Sequence, residues 1–264
     1  MINKKYVLLE KIGEGSFGEI FKGLNYRTKE EVAIKIEKKD NNDTNILKNE
    51  STIYKYLLGT QGIPIIKWYG RYENKCYMVI NLLGKSLQST IYEFKRFSLN
   101  TVLHIGIKLL TLLKSIHEKG LIHRDIKPEN FLFDNDYKNL FLIDFGMCKS
   151  YISDGNHIEM KHTNGLIGSL TYASINTHRR LELSRRDDLE SLGYMLIYFS
   201  LGNLLWRERV YEETEIIKLK ENIINNENIP KILTEYLSYI RKIEFKETPK
   251  YELFLKKFSN ELQK

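Results

Sequence analysis

The residues best able to do chemistry lie in "LIHRDIKPENFLF" (121–133) and "LIDFG" (142–146). In the first run an Asp is followed by a Lys two residues on and an Asn five residues on, in a loop ahead of a strand. That set suits phosphoryl transfer. Asp125 can orient an attacking hydroxyl and accept its proton, Lys127 can neutralise charge on the moving phosphate, and Asn130 can hold Mg²⁺. Asp144, at a strand end in the second run, supplies a second Mg²⁺ ligand. Taken singly, Asp125, Asn130 and Asp144 suit turns or caps. In order around one predicted hairpin they read as a site.

Two further signals are weaker alone. Lys35 sits in "VAIKI" (32–36), flanked by apolar strand residues, and a lysine there can simply face water. Glu50, however, falls in a helical period on the same face as Ile46, Ile53, Tyr54 and Leu57. A carboxylate on that face is costly unless paired, so Lys35 and Glu50 explain each other as an ion pair, with Lys35 free to reach phosphate oxygens. The glycines of "GEGSFGEI" (13–20) let backbone N–H groups close over phosphates, although a plain turn fits as well. No helix follows them, which disfavours a dinucleotide-binding turn.

The elements that must position these residues follow from periodicity. Residues 6–11, 18–23 and 31–37 alternate or run apolar with β-formers between polar turns, and 75–83 returns to strand. Residues 45–58 are helical. "TVLHIGIKLLTLLKSIHEKG" puts Ile105, Leu109, Leu112 and Ile116 on one stripe, with Gly120 able to close the helix. Residues 130–145 read as a hairpin and "GYMLIYFSLGNLLW" (193–206) as a buried helix, the most membrane-like run but too short to span. The expected class is α+β: a small antiparallel β-rich N-lobe with one helix, then a larger mainly helical C-lobe. A cleft is expected at the junction near Leu82–Lys85.

Composition sets the outer limits. The chain has 264 residues, 42% of them hydrophobic, enough for one large domain or two lobes. Two cysteines point to a reducing compartment, and no apolar run of signal-peptide length follows Lys4 and Lys5. The expectation is an intracellular, cytoplasmic or nuclear protein without a membrane segment. A net charge of +7 permits nucleic acid or an acidic partner, but lysines mix with acids in "KKDNND", "EETEIIKLKEN" and "IRKIEFKETPK". These runs read as solvated surface and speak against nucleic acid.

In order and over nearly the whole chain, the Gly-rich loop, strand Lys, helix Glu, "HRD…N" and "DFG" resemble the eukaryotic-type protein kinase superfamily. "HRDIKPENFL", "ASINTH" (173–178) and "SRRDDLESLGYMLIYF" (184–199) closely resemble the casein kinase 1 family within it. The resemblance implies a single kinase domain over 1–264, with N-lobe about 1–82, hinge about 81–85 and C-lobe about 86–264. It implies ATP and Mg²⁺ as cofactors and a monomeric catalytic domain acting on Ser or Thr of acidic protein substrates, Lys127 being the Ser/Thr mark. It places the nucleotide against Ile12, Gly13, Gly15, Ser16, Gly18, Ile20, Ala33, Lys35, Leu132 and Asp144. Ile80 would be the gatekeeper, with adenine on the backbone at Asn81 and Leu83. Lys35, Glu50, Asp125 and Lys127 would form the catalytic set. The alternative is a pseudokinase acting as a scaffold; such proteins commonly lose a member of that set, and none is lost here.

The same resemblance makes Ser169, Thr171 and Tyr172 a substrate platform. The Ser169 hydroxyl would bond Asp125 and Lys127, and Asp188 would bond the backbone of the catalytic loop. Two departures stand out. Ser174-Ile175-Asn176 stands where most kinases carry A-P-E, whose Glu pairs with a distant Arg; neutral Asn176 cannot. Thr171 replaces a family Arg that helps bind a substrate phosphate, so phosphate-primed recognition should be weaker. The loop 147–168 carries Ser150, Tyr151, Ser153 and Thr163, but activity is expected without its phosphorylation. The sequence ends soon after the kinase core, so no regulatory C-terminal tail is expected.

Overall fold

The computed structural model describes residues 1–15, 18–37, 46–165, 168–207 and 209–264. They form two compact units, Met1–Lys85 with Leu132–Gly146, and Ser86–Phe131 with Met147–Lys264.

The first unit is built on an antiparallel sheet of order β1-β2-β3-β5-β4. Its strands are β1 (Tyr6–Gly15), β2 (Gly18–Asn25), β3 (Glu31–Glu37), β4 (Ile66–Tyr72) and β5 (Lys75–Asn81), with α1 (Ile46–Tyr56) between β3 and β4. Strand alternation decides the two faces. Val32, Ile34 and Ile36 are buried in a cluster with Ile2, Tyr6, Tyr77 and Val79, so Ala33 and Lys35 must point the other way. Across the sheet Lys35 lies opposite Ile20 and Met78, and Ala33 opposite Ile80. Directly opposed residues share a face. The hairpin β7 (Phe131–Phe133) and β8 (Leu140–Leu142) pairs separately, and its chain is pinned by Leu142 N–H to Gly62 O at 2.9 Å. Strand β4 was not foreseen from the sequence.

The second unit holds α2 (Leu87–Phe94), α3 (Leu99–Glu118), α4 (Ile175–His178), α5 (Arg185–Leu201), α6 (Glu213–Asn222), α7 (Lys231–Ile240) and α8 (Tyr251–Glu261). The short pair β6 (Leu121–Ile122) and β9 (Lys149–Ser150) frames the loop between them. Ser86 and Ser98 cap α2 and α3 through Ser89 N–H and Thr101 N–H, a bond typically worth about 1 kcal/mol. Helix α5 is buried on every side from Arg185 to Phe199 except at Arg186, and α3 and α7 pack against it. It stops at Leu201 because Gly202 takes a left-handed φ of 81° as its C-cap. The helix expected over 193–206 is thus cut short, and a separate 3-10 turn follows at Leu205–Arg207. Among the described residues α3 alone is long and apolar enough to cross a membrane, yet half of its most apolar window is buried, as in a core helix. The α+β class, with a sheet in the N-terminal unit and helices in the second, is the one expected.

Candidate active site

In the first unit, β3 presents Lys35 and α1 presents Glu50, 2.8 Å from nitrogen to oxygen, while Asp144 Oδ1 also lies 2.8 Å from Lys35 Nζ. Burial alone would pull the Lys35 ammonium down; Glu50 and Asp144 outweigh it and hold the ammonium charged. Glu50 lies on the α1 face with Leu47, Ser51, Tyr54 and Leu57, all buried. That face is rotated slightly from the expected one, since Ile46 and Ile53 are only half-buried. Tyr54 adds a contact the sequence did not suggest: its hydroxyl accepts from Asp144 N–H at 3.2 Å, and its ring meets Phe145 edge-on at 5.1 Å. Asp144 itself has a φ of 65°, an uncommon state for a non-glycine residue that persists only where surrounding structure holds it.

The residues expected around a nucleotide all belong to this unit, apart from Ser16, which lies outside the described residues. Gly13 pairs with Ile20 and Gly15 with Gly18. Only Gly18 has its size dictated by packing: a Cβ there would lie 2.3 Å from Ile36 O, whereas Gly15 faces open space. Ile12 is exposed, Ala33, Ile80, Asn81, Leu83 and Leu132 are half-buried, and Asn81 is fixed by Ile65 N–H donating to its side-chain oxygen at 2.8 Å.

In the second unit the loop after β6 carries Asp125, nine-tenths buried. Its Oδ2 takes Lys127 Nζ at 2.6 Å, and its Oδ1 takes Ser169 N–H at 3.0 Å. Asn130 donates its amide to Asp125 O at 2.8 Å and more weakly to Oδ2 at 3.3 Å. The tie between Ser169 and Asp125 therefore runs through the backbone rather than through the expected hydroxyl. Gly168 makes it attainable. It has a φ of 82°, and a Cβ there would lie 2.5 Å from Arg124 O and 3.3 Å from Asp125 Oδ1, so the segment approaches as closely as only glycine allows.

Two neighbouring acids of α5 anchor this machinery. Asp188, fully buried, accepts His123 N–H at 2.7 Å and Arg124 N–H at 2.8 Å, the backbone bonds expected of it. His117 Nε2 lies 3.0 Å from the same carboxylate, and its Nδ1 lies 2.7 Å from the Tyr251 hydroxyl. Burial would raise the Asp188 carboxyl, but the His117 and backbone bonds win and hold it below its ordinary value. Arg124, at a φ of 68°, is thereby kept in a left-handed state. Asp187, which the sequence did not single out, accepts Ser174 Oγ at 2.7 Å, Asn176 Nδ2 at 3.0 Å and Ser184 N–H at 2.8 Å. Here burial wins, and the carboxyl is pushed up to about 6.

Of the platform residues, Thr171 offers its carbonyl to Trp206 Nε1 at 2.8 Å. Tyr172 is buried against Tyr198, so its ring supports the segment from inside rather than facing a substrate. Near Arg124, Lys149 is paired at 2.9 Å with Glu182, whose side chain is only 2% exposed. Tyr151 is also buried, its hydroxyl donating to His117 O at 2.6 Å. The run "EETEIIKLKEN", expected to be solvated, departs at one residue: Lys220 is 0% exposed.

The family model of the protein kinase domain matches residues 6–262. The chain belongs to that family. It is therefore a phosphotransferase domain with protein substrates, and ATP with Mg²⁺ is the general requirement of such domains. In this kinase domain the matched span includes every residue of both clusters, Lys35–Glu50–Asp144 and Asp125–Lys127–Asn130.

Proposed function

We propose that this kinase domain is active and moves the γ-phosphate of ATP to serine and threonine hydroxyls of acidic proteins, as a single domain of casein kinase 1 type. The observation that carries the reading is the divided Asp125 carboxylate, with Lys127 on one oxygen and Ser169 N–H on the other. An incoming hydroxyl can give its proton to this carboxylate, while Lys127 stands ready for the charge that develops on the transferred group. Lys35, kept charged by Glu50 and Asp144, suits the α- and β-phosphates. Catalysis is then positioning and charge stabilisation, with no covalent intermediate.

Mg²⁺ fits the donors available. Asn130 has its amide nitrogen on Asp125, which leaves the amide oxygen to ligate, and Asp144 is a carboxylate; hard oxygen donors of this kind suit the ion. Among the described residues no three His, Cys, Asp or Glu side chains form a cage, so Asn130 and Asp144, each in its own unit, would each need oxygens from the nucleotide or from water beside them. When bound, the ion supplies positive charge to those oxygens.

Activity without loop phosphorylation belongs to the same reading. Glu182 already gives Lys149 a buried carboxylate beside Arg124, the place where a loop phosphate would otherwise bring negative charge. Two free cysteines are compatible with an intracellular setting. The test is transfer of ³²P from ATP to casein with Mg²⁺ present. Transfer by the folded wild type supports the reading; none would leave a nucleotide- or partner-binding scaffold.

A further inference from the structure

Lys220, in the last turn of α6, is a cation placed where no water reaches it. Its ammonium donates to Leu170 O at 2.9 Å and to Ala173 O at 2.6 Å, with His178 Nε2 at 3.0 Å as third partner. The histidine's protonation state follows from its neighbours. Glu213 at its Nδ1, 3.0 Å away, can only accept, and an ammonium can only donate. With Lys220 charged, His178 is neutral and protonated on Nδ1, with the Nε2 lone pair turned to Lys220. Three protons thus meet three acceptors.

The surroundings explain how the charge is tolerated. The Tyr194 and Trp206 rings lie 4.9 and 5.3 Å from the nitrogen, as in cation–π contacts. Glu190 of α5 favours the charge and Arg241 opposes it; burial is the largest influence and lowers the ammonium to about 7. Behind His178, Arg180 makes a two-point pair with Glu213 at 2.8 Å. Arg241 bonds Lys220 O at 2.6 Å and Glu190 at 3.3 Å. Helix α6 is therefore fastened at its first turn through Glu213 and at its last turn through Lys220.

Trp206 holds the carbonyl of Thr171, so residues 170, 171 and 173 all offer their carbonyls to buried donors. An apolar side chain of the same length would fill the space and strand these acceptors. Asn176, which carries no charge, leaves this segment without an ion pair of its own. We propose that Lys220 is the positioning residue of the phosphoacceptor platform: it fixes Ser169–Ala173 against the catalytic loop so that a peptide hydroxyl is presented to Asp125. This rests on the kinase reading above.

The test uses the full chain with an acidic serine peptide. KM for peptide and for ATP are measured separately in the wild type, Lys220→Met, Lys220→Gln and Lys220→Arg, with folding checked by thermal melting. The expected result is a tenfold or larger rise in peptide KM for Lys220→Met, a smaller rise for Lys220→Gln and partial rescue by Lys220→Arg, all with ATP KM within twofold of wild type. Peptide KM unchanged in folded Lys220→Met, or peptide and ATP KM rising together, overturns the inference alone. Should Lys220→Met fail to fold, Lys220→Gln decides by the same criterion. A wild type that transfers no phosphate overturns the kinase reading and the inference with it.

Discussion

The catalytic loop at 121–130 and the platform segment at 168–176 both rest on the first turn of α5, yet opposite chemistry holds them. The catalytic loop hangs from a carboxylate: Asp188 accepts the N–H groups of His123 and Arg124. The platform hangs largely from donors, its carbonyls at 170, 171 and 173 taken by Lys220 and Trp206. Asp187 adds side-chain bonds to Ser174 and Asn176. The difference teaches where each loop is rigid. An acid gathers the N–H groups of one loop, donors hold the carbonyls of the other, and the Ser169 N–H of the second reaches Asp125 of the first. The two loops meet there, and a side chain at Gly168 would collide with Arg124 O.

The most severe way to break the comparison is to remove the group both loops serve. Asp125→Asn should lower kcat by roughly a thousandfold or more, within the range for losing a positioned general base, while ATP binding measured by calorimetry stays at the wild-type value. Retained transfer would mean that Asp125 is not the proton acceptor.

Next in size is Asp188→Asn. The two N–H groups bind different oxygens of Asp188, and in the amide one of those positions is an NH2 donor, so a buried N–H is left unpaired at a cost of about 1–3 kcal/mol. A melting temperature lower by several degrees is expected, together with a fall in kcat, because the loop that carries Asp125 loses an anchor. A variant melting like the wild type would show that the loop is held elsewhere.

The two aspartates also differ in the sign of their pH dependence. Asp187 has its carboxyl raised from 3.8 to about 6. Between those values the native state binds more protons than the unfolded chain, so its contribution to stability is full below about 4 and is lost as pH rises through 6. Asp188 is held below 3.8, so its contribution is present above that value and is lost as pH falls below it. Melting curves from pH 3 to 7 should show the gap between wild type and Asp187→Asn shrinking as pH rises. The gap for Asp188→Asn should instead widen. Parallel slopes would remove the contrast.

The smallest effect is expected from Thr171→Arg. A guanidinium on this partly exposed residue should lower the KM for a phosphate-primed peptide by about threefold to tenfold, less than a buried charge-assisted bond gives. An unprimed acidic peptide should respond less. Equal primed preference in both proteins would show that Thr171 does not set it.

Much of this was legible from residues alone because the signals are local. The spacing within 121–130 holds Asp125, Lys127 and Asn130 on one short loop, and they meet there. The helical period puts Glu50 on a buried face with Tyr54 and Leu57, but it also places Ile46 and Ile53 there, which are only half-buried, since the period is accurate only to about a residue. Strand β4 escaped notice because its residues are mostly half-buried and Gly70 interrupts it. The apolar run predicts the long buried helix but not its end, because Gly202 lies inside that run and stops the helix only through its left-handed φ.

Sequence by itself therefore determined the α+β class, the order of the kinase motifs and the residues proposed to act in transfer, since these depend on residue type and on short separations. Only the tertiary structure decided which charges are buried and what they hold. Lys220 sits in a run of mixed charge that reads as surface, and its acceptors lie 50 and 47 residues away. The resemblance marks Asp188 for the catalytic loop, but only the fold gives its neighbour Asp187 the platform. Burial and hydrogen-bond partners are properties of distant chain segments brought together, and no local pattern encodes them.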